Sequence, residues 1–412
     1  MITFTRKTLA NGLKVLVHQD NATPMVCMNI LYDVGARDED PDHTGFAHLF
    51  EHLMFGGSIN IPNYDEPLQK VGGENNAFTS NDITNYYLTL PTANIETAFW
   101  LESDRMLSLA FSAKSLEVQR SVVIEEFRQR YLNQPYGDAW LFLRPLAYKV
   151  HPYSWSTIGK EISHIEQATM EDVKAFFKKH YMPNNAIMVL SGNIEPNLAF
   201  ELAEKWFGPI PAGQLEKRNL PVEPVQTEKR TLSVERDVPA DGLYMVFHMC
   251  AKADADYPAT DLLSDILARG NSSRFFNNLV KDQQLFNDIN AYVGGDLDKG
   301  LFVVSGKLAD GITMEQAEKG VWDELNRIIA KGVEADELTK VKNKIESTHV
   351  FAEMDIMNKA MNLAFAEHQG DANDVNTEIE RYAKVQAAEI QRVAAEIFRA
   401  TNASVLYYHA KK

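Results

Sequence analysis

Residues 208–227, GPIPAGQLEKRNLPVEPVQT, carry four prolines and two glycines near the middle of a 412-residue chain. Proline lacks the amide proton that a helix interior or a central strand needs, and glycine weakens both. No regular element should run through this stretch, so it divides the chain. A length of 412 residues also exceeds what one ordinary core serves. We read residues 1–212 as one domain, 213–229 as a linker and 230–412 as a second domain.

Each side opens on strands and continues into helices. Residues 3–9 and 13–18 alternate apolar and polar, and Asn11-Gly12 between them signals a hairpin. A third strand is expected at 25–34 and a helix at 45–56, where Phe46, Leu49, Phe50, Leu53 and Met54 recur at helical spacing. The half closes with a strand at 83–90, helices at 92–109, 114–132 and 169–180, a strand at 185–192 and a helix at 195–206. The second side reads as strands from Arg230, helices at 256–268 and 272–282, two strands near 288–306, a long helical region at 313–398 and a last strand at 403–409. A strand leads to HLFEHLMFGGS in the first half and to DLLSDILARGNSS in the second, which resembles a distant repeat whose His and Glu residues are not retained. The expected class is α+β: two homologous, pseudo-symmetric domains, each an antiparallel sheet with helices packed on one side.

Composition excludes several functions. A net charge of −16 argues against nucleic acid, because phosphate binding needs a positive footprint. It favours basic peptides at long range, but plain solubility is the better account of it. No run reaches the roughly 18 apolar residues of a membrane span, and the N-terminus alternates like a strand instead of carrying a secretory core. Two cysteines, Cys27 and Cys250, make no disulfide framework and read as buried free thiols of a reducing compartment. The expected location is cytoplasmic.

The chemistry is concentrated in His48-Leu49-Phe50-Glu51-His52. Residues four apart share a helix face, so both imidazoles can address one metal ion, with Glu51 bordering that face. This H-x-x-E-H order suits zinc, which makes water nucleophilic near neutral pH once a carboxylate takes its proton. A lone helical histidine is more often structural, but two around a glutamate at this spacing are uncommon. His43 falls before the helix start and is read as a bystander. A catalytic zinc site needs a third protein ligand. Glu125 and Glu126 follow the apolar run Val122-Val123-Ile124, so one of them should face inward and need a partner. A solvated pair is the competing reading.

These residues carry a family resemblance. GFAHLFEHLMFGGS, GGENNAFTSNDITNYYLTLP, SVVIEEFRQR, HPYSWSTIGKEISHI and YMPNNAIMVLSGNI resemble successive landmarks of the pitrilysin/insulinase family of inverted-motif zinc peptidases, which includes the mitochondrial processing peptidases. The likeness covers nearly all of residues 1–210 and extends more weakly to the end. It implies one Zn2+ per chain held by His48, His52 and Glu126, with Glu51 as catalytic general base. It further implies an edge strand at Asn76, Ala77 and Phe78 that aligns an unfolded peptide substrate by strand addition. Without the resemblance, that segment would read as a turn entering a core strand. The site-supporting glutamate that the family usually has seven residues before Glu126 is here Gln119.

A second departure lies in the other half. Family members of this size usually carry an Arg and a Tyr there that polarise the scissile carbonyl. Aligned on Ser272-Ser273-Arg274-Phe275-Phe276, these positions hold Val280 and Asn287, with Lys281 and Tyr292 as possible substitutes. Neither Val280 nor Asn287 is a strong donor of the kind a developing oxyanion needs. The resemblance therefore implies a dimer, and the missing pair points to a metal-free homologous subunit that supplies Arg and Tyr. Three rivals are weighed beside this reading: a retired assembly subunit, against which the intact His48, Glu51 and His52 argue; a zinc lyase with a Cys ligand, for which the chain is far too long and Cys27 lies on a strand 21 residues before His48; and a peptide-binding module without turnover.

Overall fold

The computed structural model describes residues 1–411. The chain forms two compact units. One contains residues 1–129, 155–220 and 350–377; the other contains 130–154, 221–349 and the residues from Glu378 onward.

The first unit is built on six strands: β1 (Thr5–Thr8), β2 (Lys14–Gln19), β3 (Met25–Tyr32), β4 (Glu74–Thr79), β5 (Thr84–Pro91) and β6 (Ala186–Gly192), in the order β1-β2-β6-β3-β5-β4. The second has five: β7 (Arg230–Arg236), β8 (Gly242–His248), β9 (Phe286–Val293), β10 (Leu301–Leu308) and β11 (Ala403–Ala410), in the order β7-β11-β8-β10-β9. Setting aside β1, each strand of one sheet has a counterpart in the other, in the same order. The repeat is thus structural, and the fold is α+β with two homologous domains.

Two expectations about the sheets need correction. Neither is wholly antiparallel, since β2 pairs parallel with β6 and β7 pairs parallel with β11. The last strand of each unit returns after a long helical excursion, so no hairpin fixes its direction. Nor are the helices confined to one side. Leu16, Cys27, Leu31, Ile187 and Val189 bury one face of the first sheet against helix Ile356–Gln369 through Ala360, Leu363 and Ala364. On the opposite face Tyr32 meets Tyr181, which lies 4.3 Å, ring centre to ring centre, from Phe50. In the second sheet, Leu243, Met245, Phe247 and Phe302 pack with helices Tyr257–Ala268, Met314–Lys331 and Ala387–Ile397. Its other face, with Val246, Val303 and Leu406, takes helix Ala139–Ala147. The strand sequence MVCMNILY of β3 shows why: it is apolar at almost every position, whereas a sheet wet on one face alternates.

The units do not follow chain order. Helix Ala139–Ala147 precedes the proline-rich stretch but belongs with the second sheet, and Ile356–Gln369 follows it but belongs with the first. The long helical region is broken into Met314–Lys331, Ala335–Ala352, Ile356–Gln369, Glu378–Lys384 and Ala387–Ile397. Within the proline-rich stretch Arg218 is anchored, donating to Asp38 Oδ1 at 2.6 Å and to Asp33 Oδ2 at 2.7 Å. Among the described residues no helix is long and apolar enough to cross a membrane. Cys27 and Cys250 are both free thiols; Cys27 is buried, while Cys250 lies just beyond β8 and is half-buried.

Candidate metal centre

The helix carrying the motif spans Phe46–Leu53, shorter than the expected 45–56. It begins at Gly45, whose φ of 87° is a left-handed conformation that suits glycine. Phe46, Ala47, Leu49, Phe50 and Leu53 are buried, and Phe50 packs against Tyr181 and Phe177. The apolar stripe fixes the rotation of the helix, leaving His48, Glu51 and His52 half-buried along the other side.

Glu126 comes from the neighbouring helix Ala113–Phe127. Leu116, Val123 and Phe127 form the buried stripe of that helix, so Glu126 lies beside the stripe and Glu125 outside it. Glu125 is half-exposed and accepts from Gln129 Nε2 at 3.0 Å. Glu126 Oε2 lies 3.6 Å from His48 Nε2 and 3.4 Å from His52 Nε2. The two imidazoles are nearly perpendicular, with ring centres 4.8 Å apart. One ligand atom from each of the three residues falls within a 4.8 Å span.

This donor set fits zinc. Two imidazole nitrogens and one carboxylate oxygen form a ligand trio of the catalytic type, which leaves a fourth position for water. Tetrahedral Zn–N and Zn–O bonds of about 2.0–2.2 Å place ligand atoms about 3.3–3.5 Å apart. The His–Glu separations of 3.4 and 3.6 Å match that spacing and exceed a normal hydrogen bond. His43 is exposed, lies ahead of the helix and is not part of the cluster.

Glu51 is fixed by a contact that sequence reasoning missed. Thr79 Oγ1 donates to Glu51 Oε2 at 2.6 Å. Thr79 ends β4, directly after the Asn76-Ala77-Phe78 segment. β4 is the last strand of its sheet, paired with β5 on one side only. Asn76 is exposed and its Oδ1 accepts from the Ala77 N–H at 2.8 Å, while Phe78 turns its ring toward Phe365. Gln119 lies two turns before Glu126 on the same helix and is half-buried.

The second unit holds no such centre among the described residues. In helix Tyr257–Ala268, Asp261, Ser264 and Asp265 have the spacing of His48, Glu51 and His52. Val280 packs against the core, and Asn287 Nδ2 donates to the Leu308 carbonyl at 3.0 Å. Lys281 is exposed and Tyr292 partly so.

Comparison with known proteins finds two family models along the chain. The family model described as insulinase (peptidase family M16) matches residues 14–144, the part containing all four motif residues. The model described as the peptidase M16 inactive domain matches residues 167–345. The zinc protease PqqE of Helicobacter pylori is 28% identical over 410 residues, covering 97% of this chain and 91% of that protein. An uncharacterized zinc protease of Bacillus subtilis, YmxG, is 24% identical and covers 83% of each chain. Among solved structures, a Helicobacter pylori protease superposes with a TM-score of 0.93 at 28% identity, covering 99% of this chain and 100% of that one. The crystal structure of pitrilysin matches in fold, with a TM-score of 0.76 at 20% identity over 99% of this chain and 45% of its own.

Proposed function

The chain belongs to the insulinase family of M16 peptidases, and on that premise we propose that it is a zinc-dependent endopeptidase acting on unfolded peptides. The observation that carries the proposal is the convergence of His48, His52 and Glu126 at ligand spacing beside Glu51. Zinc held there makes water nucleophilic near neutral pH and polarises a peptide carbonyl.

The protein's own groups do the rest. Glu51 takes the proton from the attacking water and returns it to the leaving amine. Thr79 holds the Glu51 carboxylate through Oε2. The outer edge of β4 receives the substrate as an added strand, with the segment Asn76, Ala77 and Phe78 aligning its backbone. Such recognition reads extended backbone, which suits unfolded substrates.

The reading extends to a partner. Val280 has no donor and the Asn287 amide already donates to the Leu308 carbonyl, so neither serves a developing oxyanion. We therefore assign this chain the zinc-bearing role in a dimer, with a metal-free homologous subunit supplying Arg and Tyr. The test is hydrolysis of a mixed set of unstructured peptides by the zinc-loaded chain, alone and with a co-purifying homologue, using Glu51→Gln as control. Cleavage that depends on Glu51 supports the proposal. Absence of cleavage in both preparations, with zinc bound, refutes it.

A further inference from the structure

The motif helix has an electrostatic difficulty. His48 stands in its first turn, where the unpaired N–H groups amount to about half a positive charge. That charge opposes a divalent cation held by the same turn. A capping side chain at the first position is ruled out as well. A Cβ on Gly45 would lie 2.7 Å from the Ile158 carbonyl oxygen, and its φ is left-handed. The helix therefore has no side-chain cap of its own.

Glu39 fills that role from six residues upstream. Its Oε2 accepts from the Gly45 N–H at 2.9 Å and its Oε1 from the Ala47 N–H at 2.8 Å. Trp155 Nε1–H donates to Oε2 at 3.0 Å and also to the Ala36 carbonyl at 3.0 Å, fixing the loop from which Glu39 projects. The side chain is 7% exposed. Burial pushes the carboxyl up to about 8, against the pull of the Ala47, Gly45 and Trp155 N–H groups. All three hydrogen bonds are received from N–H donors, the partner set of a carboxylate.

We propose that Glu39 is the positioning residue of the metal centre. Bridging the Gly45 and Ala47 amides, it satisfies N–H groups at the start of helix Phe46–Leu53 and fixes its first turn, so that His48 and His52 hold the ion. This rests on the zinc reading above. Groups outside the ligand shell that orient ligands typically govern about 10–100-fold in metal affinity.

The test is Glu39→Gln, which keeps the volume but turns an amide NH2 toward an N–H donor. Zinc affinity is measured by chelator competition, and amide hydrogen exchange is followed over residues 45–53 in the metal-free protein. The expected result is zinc binding weaker by about 10–100-fold, with faster exchange confined to that segment. Faster exchange at wild-type zinc affinity overturns the proposal, because Glu39 is then a structural cap alone. Wild-type behaviour in both measurements overturns it outright. A wild-type chain that binds no zinc overturns the metal-centre reading and this inference with it, whereas loss confined to the variant bears on Glu39 alone. If Glu39→Gln does not fold, Trp155→Phe is read instead. It leaves Glu39 one donor short and is expected to weaken zinc binding by a smaller factor, and wild-type affinity there overturns the proposal.

Discussion

Thr79 Oγ1 donates to Glu51 Oε2 at 2.6 Å, joining the end of the edge strand β4 to the carboxylate of the motif helix. A hydrogen bond to a charged group is worth about 1.5–3 kcal/mol. Thr79→Val keeps the β-branched shape and removes the donor. The expected outcome is kcat lower by about 10–100-fold with KM little changed, and Thr79→Ser should restore most of the rate. Steady-state kinetics on one peptide across the three proteins checks this, and an unchanged kcat in Thr79→Val would count against the orienting role.

The two adjacent glutamates should differ sharply. Glu126 faces both imidazoles, whereas Glu125 accepts from Gln129 at the surface. Glu126→Gln removes an anionic ligand and is expected to abolish stoichiometric zinc, while Glu125→Gln should retain one zinc per chain. Metal content after dialysis against a weak chelator distinguishes them. Equal zinc loss in both variants would sink the assignment of Glu126.

His180 gives the protein an acid-sensitive term outside the metal centre. It ends helix Met170–His180 and is 8% exposed. Burial, with Lys179 and Arg218 adding to it, lowers its pKa to about 4. The unfolded chain binds the proton near pH 6.5, so between pH 6.5 and 4 it holds more protons than the folded one. The contribution is therefore complete above about pH 6.5 and falls as pH drops toward 4, by at most about 3 kcal/mol. In His180→Gln this dependence should vanish. Thermal midpoints of both proteins at pH 7, 5.5 and 4 check it, and a gap between them that stays constant across that range would exclude His180 as the source.

The partner assignment has a kinetic consequence. On that assignment the zinc-loaded chain alone should hydrolyse peptides slowly, because Val280 and Asn287 would stand in place of the carbonyl-polarising pair. A homologous metal-free subunit that carries Arg and Tyr should raise the rate by about 10²–10³, the value of an oxyanion donor. Rates with and without that subunit, at fixed zinc, decide the point. An isolated chain with full activity would dispose of the heterodimer.

What the sequence revealed follows from how local each feature is. His48, Glu51 and His52 were legible because a helical repeat of four alone places them together. Glu126 was legible only as one of two glutamates, since the choice depends on helix phase. The run Val122-Val123-Ile124 conceals that phase, with Val122 exposed and Val123 buried. Thr79 and Glu39 could not be found from spacing, because their partners lie 28 and 6–8 residues away through folded contacts. The parallel pairings of β6 and β11 and the crossing of helices Ala139–Ala147 and Ile356–Gln369 into opposite units were hidden for a similar reason. Each depends on which strand edge or sheet face remains uncovered after the rest has packed. Pro145 within LFLRPLA further masked the first of those helices.

The most direct measurement is peptide hydrolysis by the zinc-loaded chain, assayed with the homologous subunit present, for wild type and Glu51→Gln, with zinc content read on the same samples. The expected result is one zinc per chain in both proteins, cleavage by the wild type, and a rate at least about 10³-fold lower in Glu51→Gln. Cleavage by Glu51→Gln at the wild-type rate, or a wild type that binds zinc and cleaves nothing, would contradict the assignment of this site as a zinc peptidase centre.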